Sequence, residues 1–166
     1  VGYHYETMDT SNGNIDKAWD EFKHHLDKLR KLVEVETICM HGSPLSKHDS
    51  KDIWKKYDYK SFDLIGEPYF DINFNSVLYL SDTGRMWDGE NVSVRDKVKR
   101  SCTSFNRKFK FHTTNQIIES IESDILPNRI MFTFHPQRWS NNILLWSQEL
   151  ISQNVKNTIK KIFYVK

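Results

Sequence analysis

Three stretches of strand-like composition end in a histidine: Tyr3-His4, Met40-His41 and Phe134-His135. Two more end in a carboxylate, with Glu67 closing Phe62–Glu67 and Asp82 following Leu80-Ser81. In parallel α/β folds the functional crevice lies beyond the carboxyl ends of the strands. That rule predicts His4, His41, Glu67, Asp82 and His135 on one rim. Imidazole and carboxylate together can ligate a divalent ion, at about 2.0–2.2 Å for zinc, or trade protons as acid and base. Donors carried by separate strand ends converge without any local motif, so spacing leaves both chemistries open. Each residue also has an ordinary reading. A strand-end histidine can bond to backbone, Glu67 and Asp82 can cap turns, and His41 runs into the turn sequence Gly42-Ser43-Pro44.

The elements that must position these residues follow from periodicity. Ile15, Trp19, Phe22, Leu26, Leu29 and Val33 recur at steps of three and four, one face of an amphipathic helix. Asn14 is its expected N-cap, and Asn12-Gly13 marks the turn before it. Strand-like segments flank that helix at Val1–Tyr5 and Val35–His41, so the opening reads as a βαβ unit and favours a parallel sheet or barrel. Further on, the pattern predicts a short helix over 51–56, strands over 62–67 and 76–81, and a helix through Ile117, Ile118 and Ile121 capped by Thr113 or Thr114. Ile130–Phe134 is a continuous apolar run and reads as a fully buried parallel strand. A last helix, roughly 142–163, puts Leu144, Ile151, Val155, Ile159 and Ile162 on one face. Trp19, Trp54 and Trp146 fall on helical segments and read as core; His24 and His25 read as surface or boundary residues.

Size and composition limit the classes. The 166 residues are 38% hydrophobic and 28% charged, enough for one packed domain spanning 1–166. The formal net charge of +2 is too balanced for a dedicated nucleic-acid binder. A basic stretch with interleaved aromatics, Arg95 to Phe111, leaves single-stranded nucleic acid or an anionic glycan as rival partners, with a solvated face as the plainer reading. Asn91-Val92-Ser93 matches a glycosylation acceptor. No apolar run approaches the roughly 18 residues of a membrane span. Cys39 and Cys102 lie in different segments, which excludes a disulfide framework and favours a reducing, cytoplasmic setting. The chain opens with Val1 inside a strand-like segment, so an upstream segment is expected to have been removed.

Taken in order, Gly2-Tyr3-His4-Tyr5-Glu6, Met40-His41-Gly42-Ser43-Pro44, Gly66–Asp71, Tyr79–Trp87 and Phe134-His135-Pro136-Gln137-Arg138-Trp139 resemble a divergent branch of the polysaccharide deacetylases, carbohydrate esterase family 4. The resemblance spans most of the chain. It implies an α/β fold, an incomplete or distorted (β/α) barrel, and removal of acetyl groups from glycans with one divalent metal, zinc being the expected ion. It places His4 at the family's first metal histidine and His135 at the late histidine that assists the leaving group. The chain departs from the family in three places. Met8 stands where a second metal histidine usually falls, so Glu6, Asp9 or His41 would take its part. The early acidic motif would lie upstream of Val1. Glu67-Pro68-Tyr69 occupies the place of an Arg-x-Pro-Tyr segment.

The implied activity is metal-dependent hydrolysis of acetylated carbohydrate. The expected ligands are His4, Glu6 and His41. The expected catalytic groups are His135, Glu67, Asp82 and Arg85, with Tyr69, Trp87, Arg138 and Trp139 binding substrate through stacking or charge. Arg85 or Arg138 would orient a nearby carboxylate or hold an anionic sugar. The alternative is a catalytically inactive carbohydrate-binding relic of the same fold.

Overall fold

The computed structural model describes residues 1–42, 46–88 and 108–163, with Gln137 described by its backbone alone. The basic run Arg95–Arg107, Asn91-Val92-Ser93, Cys102 and the turn residues Ser43 and Pro44 lie outside the described residues. The chain divides into two compact units, Val1–Ile72 and Asn73–Lys166. Each builds a parallel pair of strands with helix between them. No helix among the described residues is long and apolar enough to cross a membrane.

In the first unit β1 (Gly2–Tyr5) runs parallel to β2 (Thr37–Met40), with His4 opposite Cys39 and Tyr5 opposite Met40. Between them lie a short helix α1 (Thr7–Thr10) and α2 (Ile15–Arg30). Asn14 caps α2 by accepting from the Lys17 N–H, as expected from its amide at the helix start. Asn12 and Gly13 make the preceding turn at positive φ, 51° and 80°. Gly13 is required there twice over, because a Cβ would also meet the His48 ring at 2.4 Å. Phe22 and Leu26 are buried, while Ile15, Trp19 and Leu29 pack on the edge of the same core. The helix stops at Arg30, before Val33. The Arg30 guanidinium donates to the carbonyls of Val35 and Phe62 and so ties down the helix end.

The expected strand over 62–67 shrinks to a single parallel bridge between Gly66 and Thr37. Tyr59–Phe62 instead forms a 3-10 turn, capped by Asp58 and ended by Asp63 at φ 56°. The expected short helix over 51–56 is a 3-10 turn, Ser50–Lys55. A short helix α3 (Pro68–Asp71) follows, with proline in its first turn, where the missing N–H costs nothing.

In the second unit β3 (Leu78–Ser81) runs parallel to β4 (Ile130–Thr133). The helix α4 (Thr114–Glu122) precedes β4 and starts with a complete capping box between Thr113 and Gln116. All of β3 is buried. The expectation of full burial for the run into β4 is corrected: Phe132 is 40% and Phe134 59% exposed. The last helix, α5 (Ile143–Phe163), overturns a second expectation. Leu144, Ile151, Val155, Ile159 and Ile162 are all exposed, whereas Gln153 and Asn157 are buried. The polar stripe wins because it has partners. Asn157 donates to the Gly84 carbonyl at 2.8 Å, and Gln153 donates to Asn157 at 2.7 Å. Buried amides with partners are favourable where unpartnered ones are costly.

Candidate functional site

Strand pairing decides which chemistry-bearing residues meet in each unit. Along β1 the side chains alternate, Tyr3 and Tyr5 inward, His4 and Glu6 outward. The Cys39 side chain shares the face of His4 by register, and His41, two residues on, shares it again. The His41 N–H donates to the Tyr5 carbonyl at 2.7 Å and extends the ladder past Met40. The result is an imidazole pair, His4 Nε2 to His41 Nδ1 at 2.9 Å, with the rings nearly perpendicular at 82°. Glu6 approaches the other nitrogen of His41 at 3.8 Å.

These residues fit a zinc-type ion in part. Two imidazole nitrogens 2.9 Å apart lie within the span of about 4 Å that two such bonds can cover. Glu6 faces the opposite nitrogen of His41, so its geometry is that of a group orienting a ligand rather than a third donor. Among the described residues no group of three His, Cys, Asp or Glu side chains is arranged to hold an ion. Met8, at the family's second-histidine position, is 3% exposed and belongs to the hydrophobic core. Asp9 is engaged with the Ser46 hydroxyl.

Glu67 is wholly buried. One carboxylate oxygen accepts from the Met40 N–H at 3.1 Å and the other from the Tyr69 N–H at 2.7 Å. It caps α3 and fastens it to the end of β2, the structural role. Burial pushes its pKa above the ordinary carboxylate value, while the Met40 and Tyr69 amides oppose that rise. Tyr69, beside it, has the Lys51 ammonium 5.1 Å from its ring centre.

The second unit holds a tighter assembly. The Asp82 N–H donates to the Thr133 carbonyl, so the β3–β4 ladder runs one residue past Ser81 and delivers the carboxylate beside His135. Asp82 Oδ1 lies 2.5 Å from His135 Nδ1, and Oδ2 accepts from the His135 backbone N–H at 3.0 Å. Arg138 donates to Asp82 Oδ1 at 2.8 Å and also to its carbonyl; the Trp139 indole N–H donates to Oδ2 at 3.4 Å. Asp82 is 5% exposed. Its burial works against ionisation, but the His135 and Arg138 contacts outweigh that and hold its pKa below the usual Asp range. An ionised Asp82 fixes the proton of His135 on Nδ1. Nε2 is the ring nitrogen that Asp82 does not hold, on a side chain 35% exposed.

Glu149, Gln153, Asn157 and Trp146 are the residues the sequence reading missed. Glu149 on α5 pairs with Arg85 and lies 3.8 Å from Arg138 Nε. The Arg85 guanidinium rests over the Trp146 ring at 4.6 Å, so Trp146, 40% exposed, is a cation–π platform and not core. Residues 146, 149, 153 and 157 recur at steps of three and four, and that polar stripe was the signal available in the sequence. Arg138, with a side chain 12% exposed, is engaged inside the protein and acts on Asp82. Trp87 is corrected from a sugar platform to core: it is 7% exposed, packs with Leu78, Leu80 and Phe111, and donates to Thr114. Trp139, 55% exposed, keeps a face open to a ligand.

Comparison with protein-family models, with curated proteins and with solved structures finds no match to this chain.

Proposed function

We propose that this chain is a metal-dependent carbohydrate deacetylase, a hydrolase on an incomplete (β/α) barrel, with His135 as its acid/base residue. The observation that carries the reading is the 2.5 Å contact between Asp82 and His135 at the ends of two paired parallel strands. A buried, ionised carboxylate that fixes one imidazole nitrogen makes the other a proton carrier. In amide or ester hydrolysis His135 Nε2 would give its proton to the leaving nitrogen or oxygen of the sugar as the tetrahedral intermediate collapses. Asp82 stabilises the imidazolium before that transfer and keeps the ring oriented after it. Arg138 and the Trp139 N–H hold Asp82 in place, and the open face of Trp139 offers a surface for a sugar ring. Within the first unit, His4 and His41 are the residues that would hold a divalent ion, and such an ion when bound would acidify a water.

The test is acetate release from acetylated chito-oligosaccharides and acetylated xylan, with zinc, cobalt or manganese supplied in turn. His135→Gln should lower the rate about 10²–10⁴-fold, the usual worth of a general acid. His4→Ala should weaken zinc binding, read by metal titration of the chain. Equal rates for wild type and His135→Gln would overturn the assignment. Oligosaccharide binding with no release by wild type would favour the inactive carbohydrate-binding relic.

A further inference from the structure

The first unit carries an open cleft of about 470 Å³ that the hydrolytic reading does not use. Its lining comes from the 3-10 turn Ser50–Lys55, from Tyr59 and from Phe70 on α3. The floor is aromatic. Trp54 and Tyr59 meet edge to face with ring centres 5.2 Å apart, and Tyr59 lies nearly parallel to Phe70 at 6.4 Å and 19°. The polar tips of the first two are engaged within the protein, the Trp54 indole with the Tyr5 hydroxyl and the Tyr59 hydroxyl with Asp71, each at 2.7 Å. What they turn to a ligand is therefore carbon. Phe70 is 52% exposed.

The rim is charged but cancels itself. Lys55 pairs with Asp52 at 2.7 Å and Lys51 with Asp49 at 3.6 Å, so two cations and two anions surround the floor. An anionic or cationic ligand would meet one repulsive group for each attractive one. A neutral ligand with many hydroxyls meets both acceptors and donors. A pyranose combines an apolar C–H face, which suits the rings, with a hydroxyl edge, which suits paired carboxylates and ammoniums. We propose that this cleft is a binding site for a neutral carbohydrate, formed by Phe70 and Trp54 below and the Asp52–Lys55 and Asp49–Lys51 pairs at the edge. The site binds and does no chemistry, so it stands apart from the hydrolytic reading.

The experiment is calorimetric titration of the full chain with two neutral probes, cellobiose and N,N′-diacetylchitobiose. Saturable binding is expected, little changed by added salt because no net charge is neutralised. Phe70→Ala should weaken it by about tenfold, the cost of losing an aromatic anchor. Circular dichroism of that variant should be unchanged, since the ring is half exposed. Asp52→Asn should also weaken binding, which reads the rim independently of the floor. Acetate release is read in a separate assay on the same wild-type chain, so a failure of hydrolysis and a failure of this site are told apart. The proposal is overturned by absence of binding for both probes, or by wild-type affinity in Phe70→Ala. It is also overturned if a glucuronic-acid disaccharide or deacetylated chitobiose binds more tightly, in a salt-sensitive way.

Discussion

Asp82 gathers His135, Arg138 and Trp139 on one carboxylate, so its substitution should be felt in two separate measurements. Asp82→Asn should cut acetate release by about 10²–10⁴-fold, because the amide no longer fixes the imidazole tautomer. It should also lower stability. A carboxylate whose folded pKa is depressed contributes stability above its unfolded value of about 3.9 and loses it as pH falls through the lower folded value. The thermal stability gap between wild type and Asp82→Asn should therefore be full near neutrality and close in acid below about pH 4. Glu67 predicts the opposite sign. Its folded pKa is raised, so wild type should gain stability as pH falls from neutral through that raised value towards the ordinary Glu range of about 4.3. Side-chain carbon NMR titration of the two carboxylates reads both directions at once. Glu67→Gln should cost about 1–3 kcal/mol in urea unfolding, because one of the two backbone N–H groups then faces an NH₂.

At the scale of elements, helix starts were legible and buried faces were not always so. Asn14 was read as a cap and Thr113 as one of two candidates with Thr114; Asn14 and Thr113 are the residues that accept the expected backbone N–H. Thr113→Ala should destabilise by about 1 kcal/mol, measured by chemical denaturation. The α5 helix shows where periodicity fails. It carries an apolar stripe and a polar stripe, and a periodicity argument chooses the apolar one for burial. The Gly84 carbonyl and the guanidinium of Arg85 reverse the choice. Asn157→Ala should therefore cost about 1–3 kcal/mol, whereas Val155→Glu should stay within about 0.5 kcal/mol. An equal cost for the two in urea unfolding would contradict the buried polar face. The strand expected over 62–67 failed for a local reason. Arg30 pins the Phe62 carbonyl and Asp63 takes a left-handed φ of 56°, which leaves only the Gly66 bridge.

At the scale of the molecule, the chain divides into two compact units, and each has a hydrophobic core of its own. The first core is aromatic. Phe22 touches Tyr3, Tyr5, Trp19 and Trp54, with Tyr5 and Trp54 both edge to face at 5.7 and 5.0 Å. Phe22→Ala should cost about 3–5 kcal/mol. That is a large share of the few to fifteen kcal/mol a domain commands, so near-ultraviolet circular dichroism should fall sharply at ambient temperature.

Local rules were enough to read the mixture of helix and strand, the parallel connections, the Asn14 cap and the positions of His41, Asp82 and His135 just beyond their strands, because side-chain period and cap chemistry act within a few residues. The sequence could not disclose which of those groups share a hydrogen bond. Register sets His4 against His41, and the β3–β4 ladder sets Asp82 against His135. Nor could it disclose that Glu67 is fully buried or that Glu149 reaches Arg85. Contacts between residues tens of positions apart depend on which surfaces exclude water together, and only the folded chain fixes that.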